Sequence, residues 1–198
     1  RFTILFESWK LVSGTLGGSP SVGAFVHHPD DSNRILLVTG DRGRGDDVGT
    51  GIYRTLDGGL TWTRANLFAQ PDFVDRLVVD SDDSSGNTIV ASTSTGVWRT
   101  TDFGSSWSRL YTGDPFQGVT DVAQNPDTGG WLVGVPGLGV VSCPTLGGSC
   151  SNDVGIANPV GRVGIAVAPS NPNLVYALVA GRHLCSTEPH ATCWTDAD

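Results

Sequence analysis

Apolar and polar positions follow one pattern four times along the chain: "VGAFVHHPDDSNRILLVTG" (22–40), "VDRLVVDSDDSSGNTIVASTSTG" (74–96), "VTDVAQNPDTGGWLVGVPG" (119–137) and "VGIAVAPSNPNLVYALVAG" (163–181). Each stretch is an apolar run of strand character, a cluster of Pro, Asp, Ser or Asn, and a second apolar run ending near Gly. Their first residues, Val22, Val74, Val119 and Val163, are spaced by 52, 45 and 44. A unit that recurs at such a period cannot bury its apolar face alone and stacks against its copies. About 40–45 residues holding four short strands is the size of a β-propeller blade.

A second phrase follows the first two hairpins. "GIYRTLDGGLTW" (51–62) returns 45 residues later as "GVWRTTDFGSSW" (96–107), sharing Thr55, Asp57, Gly59, Thr61 and Trp62 with Thr100, Asp102, Gly104, Ser106 and Trp107. Asp and Gly between two strand-like runs predict a tight turn, because the carboxylate accepts hydrogen bonds from the turn's own N–H groups and Gly takes positive φ. Each phrase is thus a strand, a turn and the start of another strand.

These phrases resemble the Asp-box, or bacterial neuraminidase repeat, of sialidases, xyloglucanase-type glycoside hydrolases, sortilin-type receptors and exported propellers. The resemblance implies an all-β propeller of four-stranded antiparallel blades. It also implies structural roles for Thr55, Asp57, Gly59, Trp62, Thr100, Asp102, Gly104 and Trp107. Residues 1–198 then read as a single propeller segment of about four blades, 14–62, 63–107, 108–151 and 152–198. Residues 1–13 are expected to be a strand of a preceding or closing blade, and further blades or a second chain to complete the ring.

The cysteines fall where the phrase degenerates. Cys150 and Cys193 occupy the register of Thr61 and Ser106, and Cys143 and Cys185 lie on the opposite arms of the same hairpins. Four cysteines allow three connectivities; this register favours Cys143–Cys150 and Cys185–Cys193 over free thiols or a metal site, since no CxxC occurs. Disulfides imply an oxidising compartment, so an extracellular or periplasmic location is expected.

Composition narrows the function classes. With 27 glycines, 11 prolines and 16% charged residues in 198, the chain suits a turn-rich β protein. The net charge is −8 and no basic run exists, which argues against nucleic acid as a partner. No apolar stretch reaches membrane-spanning length. The chain begins at Arg1 and contains no methionine, so it is expected to be a processed or partial product with a targeting segment upstream.

Candidate chemistry lies in the connections that break the repeat. If the PDDSN-type turns and the Asp-containing turns share one end of each blade, the remaining connections share the other: 40–51, 63–75, 109–118 and 151–162. Propellers of the resembled family usually bind ligands on that second face. The first of these connections, "GDRGRGDDVGTG", inserts Asp41, Arg42, Arg44, Asp46 and Asp47 where the second repeat has only "TSTG". Alternating Arg and Asp on a Gly-rich backbone suits sugar hydroxyls, a carboxylate or a calcium ion; the plainer reading is a self-neutralising surface loop. Asp75, Asp114 and Asp153 join it as candidate ligand-binding residues from neighbouring blades. No cofactor is expected apart from calcium at this loop.

Catalysis by the chain alone is not favoured. A glycosidase needs two positioned carboxylates, and a sialidase-like site needs Tyr, Glu and an arginine cluster. The only glutamates are Glu7 and Glu188, and Tyr53 and Tyr176 fall in strand-like runs. His27 and His28 adjoin, so they point to opposite faces of a strand; His183 and His190 read as surface residues. Trp98 and Trp131 read as core, and Trp9, Trp62, Trp107 and Trp194 as blade packing. The expectation is an exported recognition or assembly module that binds a glycan or a protein partner. The alternatives are part of a xyloglucanase-type glycoside hydrolase and a protein assembly factor.

Overall fold

The computed structural model describes residues 22–40, 49–65, 73–113, 118–154 and 161–180. Among them there are fourteen strands and no helix. β1 (Val22–His28), β2 (Asp31–Thr39), β3 (Ile52–Thr55) and β4 (Thr63–Arg64) form a four-stranded sheet in chain order. The same meander recurs as β5 (Val74–Val79), β6 (Ile89–Thr93), β7 (Gly96–Thr100) and β8 (Ser108–Tyr111). It recurs again as β9 (Asp121–Gln124), β10 (Trp131–Val135), β11 (Gly139–Cys143) and β12 (Ser151–Val154). β13 (Val163–Ala168) and β14 (Asn171–Val179) pair as a two-stranded sheet. Consecutive strands are neighbours because short links allow only antiparallel hairpins.

The expected apolar runs are the first two strands of each sheet, and the polar clusters between them are side-chain-capped turns. Asp31 Oδ1 accepts the Asn33 N–H, Asp80 Oδ1 the Asp82 N–H and Asn125 Oδ1 the Asp127 N–H. Asp83 holds its turn hardest, accepting from the Ser85 hydroxyl and N–H and, through its other oxygen, from the Thr88 N–H. These bonds, led by the Ser85 hydroxyl and the Thr88 contact, hold the Asp83 carboxyl well below its usual range.

One boundary expectation needs correcting. The last strands of these sheets, β4 and β8, start after Trp62 and Trp107, so residues 63–64 and 109–111 are strand rather than the connections the sequence suggested. The Asp-containing turn engages Thr55, Asp57, Gly59 and Thr61, or Thr100, Asp102, Gly104 and Ser106, in its own hydrogen bonds, which delays the ladder until after the Trp.

The chain divides into two compact units, residues 1–90 with 99–108 and residues 91–98 with 109–198. In the first unit, β1 lies beside β5. Gly23 permits this: a Cβ there would stand 2.7 Å from the Gly40 carbonyl oxygen and 2.9 Å from that of Val74, closer than side chains tolerate. Ala24 and Val26 of β1 pair with Val38 and Leu36 of β2, both fully buried. The β7–β8 turn comes down on the same face, where a Cβ at Gly104 would lie 2.6 Å from Leu36 Cδ2.

In the second unit, Ala123, Val140, Val163 and Ile165 form a core, with Leu132, Val167, Val175 and Val179 against it. The β13 backbone is fastened to β9 and the residue before it. Thr120 Oγ1 donates to the Val163 carbonyl and accepts the Val163 N–H, both at 2.9 Å. The Asp121 carboxylate accepts the N–H groups of Val122 and Ile165 at 2.8 and 2.6 Å. Buried polar groups are satisfied here by backbone, as a close-packed interior demands. Trp98 and Trp131 are buried, as their strand positions implied.

Candidate functional site

The two Thr-x-Asp-x-Gly turns are superimposable in their bonding. Thr55 Oγ1 donates to Asp57 Oδ1 at 2.7 Å and accepts the N–H of Gly59 at 2.9 Å; Thr61 bonds Asp57 through its N–H at 2.9 Å and its hydroxyl at 2.6 Å. In the second copy Thr100, Asp102, Gly104 and Ser106 repeat this at 2.7, 2.8, 2.9 and 2.6 Å. The hydroxyl and N–H of Thr61, then the Thr55 hydroxyl, lower the Asp57 pKa from 3.8 to about 2. Burial pushes Asp102 upward, but the bonds from Ser106 and Thr100 outweigh it and leave it lowered. Carboxylates so fully engaged within their own turns are anions that hold a hairpin.

The third sheet closes the same hairpin covalently. Gly139–Cys143 of β11 runs parallel in sequence plan to Gly51–Thr55 and Gly96–Thr100, so Cys143 stands where the other copies have the turn threonine. Cys143 is disulfide-bonded to Cys150, seven residues on. Sulfur thus replaces the Thr–Asp–Thr relay in spanning the turn. Cys185 and Cys193 lie outside the described residues.

The turns also show what the sequence did not. Phe103 is the only non-glycine among the described residues with positive φ, at 51°, in the position Gly58 holds in the first copy at 69°. Its ring is fully buried, 5.3 Å from the His28 ring and under the Arg34 guanidinium at 4.4 Å. A left-handed conformation costs roughly 1–2 kcal/mol, whereas burying a Phe side chain gains about 1.5–3 and the cation contact adds roughly 0.5–2. Packing therefore wins over backbone preference. Around the ring, His28 Nε2–H donates to the Ser85 carbonyl, His28 Nδ1 accepts the Asp30 N–H, and Arg34 Nη2 donates to Asn87 Oδ1. His28 is buried and His27 exposed, on opposite faces as adjacent strand residues must be.

At the opposite end of each sheet lie the connections expected to carry ligand contacts. Asp41, Arg42, Arg44, Asp46 and Asp47, and likewise Asp114, lie outside the described residues. Asp153 is placed within β12, and Asp75 follows Val74 at the start of β5. What the structure does describe is the root of the first loop. Thr39 Oγ1 meets Thr50 Oγ1 at 2.9 Å and accepts the Thr50 N–H at 2.8 Å, and Thr50 Oγ1 meets the Tyr53 hydroxyl at 2.8 Å. The second sheet has the same relay: Thr93 Oγ1 to Thr95 Oγ1 at 3.1 Å, the Thr95 N–H to Thr93 Oγ1 at 3.1 Å, and Trp98 Nε1–H to Thr95 Oγ1 at 2.9 Å. The paired signal Thr-Gly-Ile-Tyr and Thr-Gly-Val-Trp stood in the sequence, but its meaning needed the hydrogen bonds. The Gly40 carbonyl and the Val74 carbonyl both line the space above Gly23, so Gly40 lies near the strand start that carries Asp75.

The described residues form small clefts at both of the later sheets. One of about 290 Å³ is lined by Asn125, Thr128, Trp131 and Ser142 among others; one of about 270 Å³ lies at Arg162, Gly164 and Leu178. Among the described residues that line them there is no carboxylate. Among the described residues no group of three or more His, Cys, Asp or Glu is placed to hold a metal, and no helix is long and apolar enough to cross a membrane.

No family model matches the chain, and no curated protein matches it in sequence. Solved structures do match in fold. The GH74 xyloglucanase from Xanthomonas campestris matches over 70% of this chain at 18% identity and a TM-score of 0.53. An auxiliary nutrient binding protein from Bacteroides thetaiotaomicron matches over 82% at 12% identity and 0.58, and YCF48 bound to D1 peptide over 79% at 18% and 0.51. The chain spans 24%, 36% and 47% of those proteins respectively. The fold is therefore all-β and of β-propeller type, built of four-stranded antiparallel blades, as the repeat implied.

Proposed function

We propose that the chain is an exported Asp-box propeller module for recognition or assembly, binding a glycan or a partner protein through the end of its blades opposite the Thr-x-Asp-x-Gly turns. Asp41, Arg42, Arg44, Asp46 and Asp47 supply the specific contacts, with Asp75, Asp114 and Asp153 from neighbouring blades. The supporting observation is the root of the 40–49 loop. A hydroxyl relay that closes a minimal connection in the second sheet closes an inserted one in the first, so the insertion adds charge and hydrogen-bonding groups without altering the scaffold. Calcium is the ion class to test at the loop, whose oxygen-rich composition suits it. The Cys143–Cys150 disulfide supports an oxidising location.

Replacing Asp41, Asp46 and Asp47 together with alanine tests this reading. Glycan-array or partner binding should be lost while the melting temperature stays nearly unchanged. Normal binding by the triple variant refutes the site; cleavage of xyloglucan by the wild-type chain and not by the variant replaces the reading with that of a glycoside hydrolase part.

A further inference from the structure

The first and third sheets each meet the hairpin that follows them in the same way. At one end the residue after the opening Val meets the next opening Val. A Cβ at Gly23 would stand 2.9 Å from the Val74 carbonyl oxygen, and Thr120 Oγ1 bonds the Val163 backbone at 2.9 Å. At the other end the residue before the turn proline reaches a carbonyl at the turn of the following hairpin. His28 Nε2–H donates to the Ser85 carbonyl at 2.9 Å, and Asn125 Nδ2 donates to that of Pro172 at 3.1 Å. The start of β5 and the turn after it are therefore placed on the first sheet as β13 and its turn are placed on the third, each pair within one compact unit.

On the first sheet the next Thr-x-Asp-x-Gly turn comes down beside that link. It seats Phe103 against His28 and Arg34, sets Gly104 against Leu36, and takes a bond at Ser105 Oγ from Arg54 Nη1. Leu36 pairs with Val26 and Arg54, as Leu132 pairs with Ala123 and Ser142, so Leu132 and Ser142 hold the places of Leu36 and Arg54. Asn125 holds that of His28 before the proline, and Gly130 that of Arg34 before the strand. These four residues line the cleft of about 290 Å³. Three of them are smaller than their counterparts: Asn for His, Gly for Arg and Ser for Arg. The phrase after β14, "GRHLCSTEPHATCW" (181–194), is the counterpart of "GVWRTTDFGSSW" with a longer turn, since Cys185 and Cys193 are eight positions apart where Thr100 and Ser106 are six. In a close-packed interior a wider seat suits a longer turn.

We infer that residues 186–192, between Cys185 and Cys193, dock in the cleft of the third sheet at Asn125, Gly130, Leu132 and Ser142, as the second Thr-x-Asp-x-Gly turn docks on the first sheet. This segment lies outside the described residues, and the cleft is the surface that receives it. Pro189 and His190 are its ring side chains and take the part of Phe103, with Trp131 and Leu132 as the apolar wall. The inference goes beyond the ligand site proposed at the 40–49 loop and does not depend on it, because the cleft lies at the turn end of its sheet. It also gives the cleft to the chain itself rather than to a glycan or a partner.

Photo-cross-linking of the full 198-residue chain tests the inference. Thr128→p-benzoylphenylalanine puts a photoreactive ketone on an exposed position at the rim of the cleft. Illumination should join it, within one chain, to the peptide that holds residues 186–192, read by mass spectrometry after reduction and digestion. A cross-link to another segment, to a second chain or to a bound glycan, or no cross-link at all, overturns the inference. Gly130→Arg restores the bulk that Arg34 has on the first sheet. Gly130 lies outside the left-handed region, and the nearest atoms to a Cβ there are Thr128 Oγ1 at 3.1 Å and the Cys143 carbonyl oxygen at 3.6 Å, so the sheet should keep its circular dichroism. Amide exchange over residues 186–192 should then rise by about tenfold as the segment is displaced. Unchanged exchange there in a folded Gly130→Arg chain overturns the inference, and if that variant does not fold the Thr128 cross-link decides alone.

Discussion

The first and second sheets are two copies of one plan, and they differ at opposite ends for opposite reasons. At one end the Thr–Thr–aromatic relay is the same, yet it joins threonines 11 positions apart in the first sheet and 2 apart in the second. At the other end the turn bonding is the same, yet Gly58 in the first copy becomes the buried Phe103 in the second. The first difference adds chain outside a closed framework, at a loop-closure cost that rises by only about 0.6 kcal/mol per doubling of length. The second adds a side chain to the interior, where every atom counts. Variation at the relay end is therefore open to function, and variation at the turn end is a packing decision.

The largest effect is expected at Phe103. Phe103→Ala should cost about 3–5 kcal/mol, measured by urea unfolding, because it empties a buried site and keeps the left-handed backbone strained. Phe103→Gly should recover part of the loss, by roughly 0.5–1 kcal/mol, since Gly accepts that φ freely. Gly58→Ala, by contrast, should lose only about 1 kcal/mol, because the first copy meets strain there and gives up no buried ring. Equal losses at Phe103 and Gly58 would refute the distinction.

A smaller effect is expected at the relays. Thr39→Val leaves the Thr50 N–H without its acceptor and should cost about 1–3 kcal/mol, as should Thr93→Val for the Thr95 N–H. Amide exchange separates the two cases. Thr39→Val should raise exchange strongly at Thr50, where a long connection is released, whereas after Thr93→Val the short link should limit the rise at Thr95. Similar exchange at both sites would mean that the relay does not isolate the longer loop.

The mildest test is acid. The Asp57 pKa is lowered to about 2 from 3.8. The stability it contributes is thus fully present above pH 4 or so and is lost as pH falls towards about 2. Asp102 is lowered in the same sense. Carboxyl NMR titration should find Asp57 ionised through pH 3, and Asp57→Asn should flatten the fall of melting temperature over that window. A midpoint near 3.8 would show that the Thr55 and Thr61 hydroxyls do not hold the anion.

Local signals account for what was legible beforehand. Alternation gave away the paired strands, and the Asx-capped clusters at 29–33, 80–88 and 125–130 marked their turns, since the Asp or Asn side-chain oxygen and the N–H it caps are two residues apart. The Thr-x-Asp-x-Gly turns and the Cys143–Cys150 closure were readable for the same reason. The start of β4 and β8 was misjudged because the turn's hydrogen bonds compete with the ladder up to each Trp. Of the candidate ligand residues, Asp75 and Asp153 are placed on strands, and the 40–49 loop was visible only as an interruption of the period.

What the chain order determined by itself was the repeating blade and its turns, because strands of period two and Asx or Asp–Gly turns are decided within a few residues. Only tertiary structure decided that Phe103 would accept a left-handed backbone, that His28 and Arg34 would enclose it, and that Thr39 and Thr50 would close a loop onto Tyr53. The same holds for which sheet faces are covered. Leu36 is buried where the Gly104 turn meets it, and Ile165 where Ala123 and Val140 pack on it, because burial depends on the neighbouring element and not on the strand's own residues.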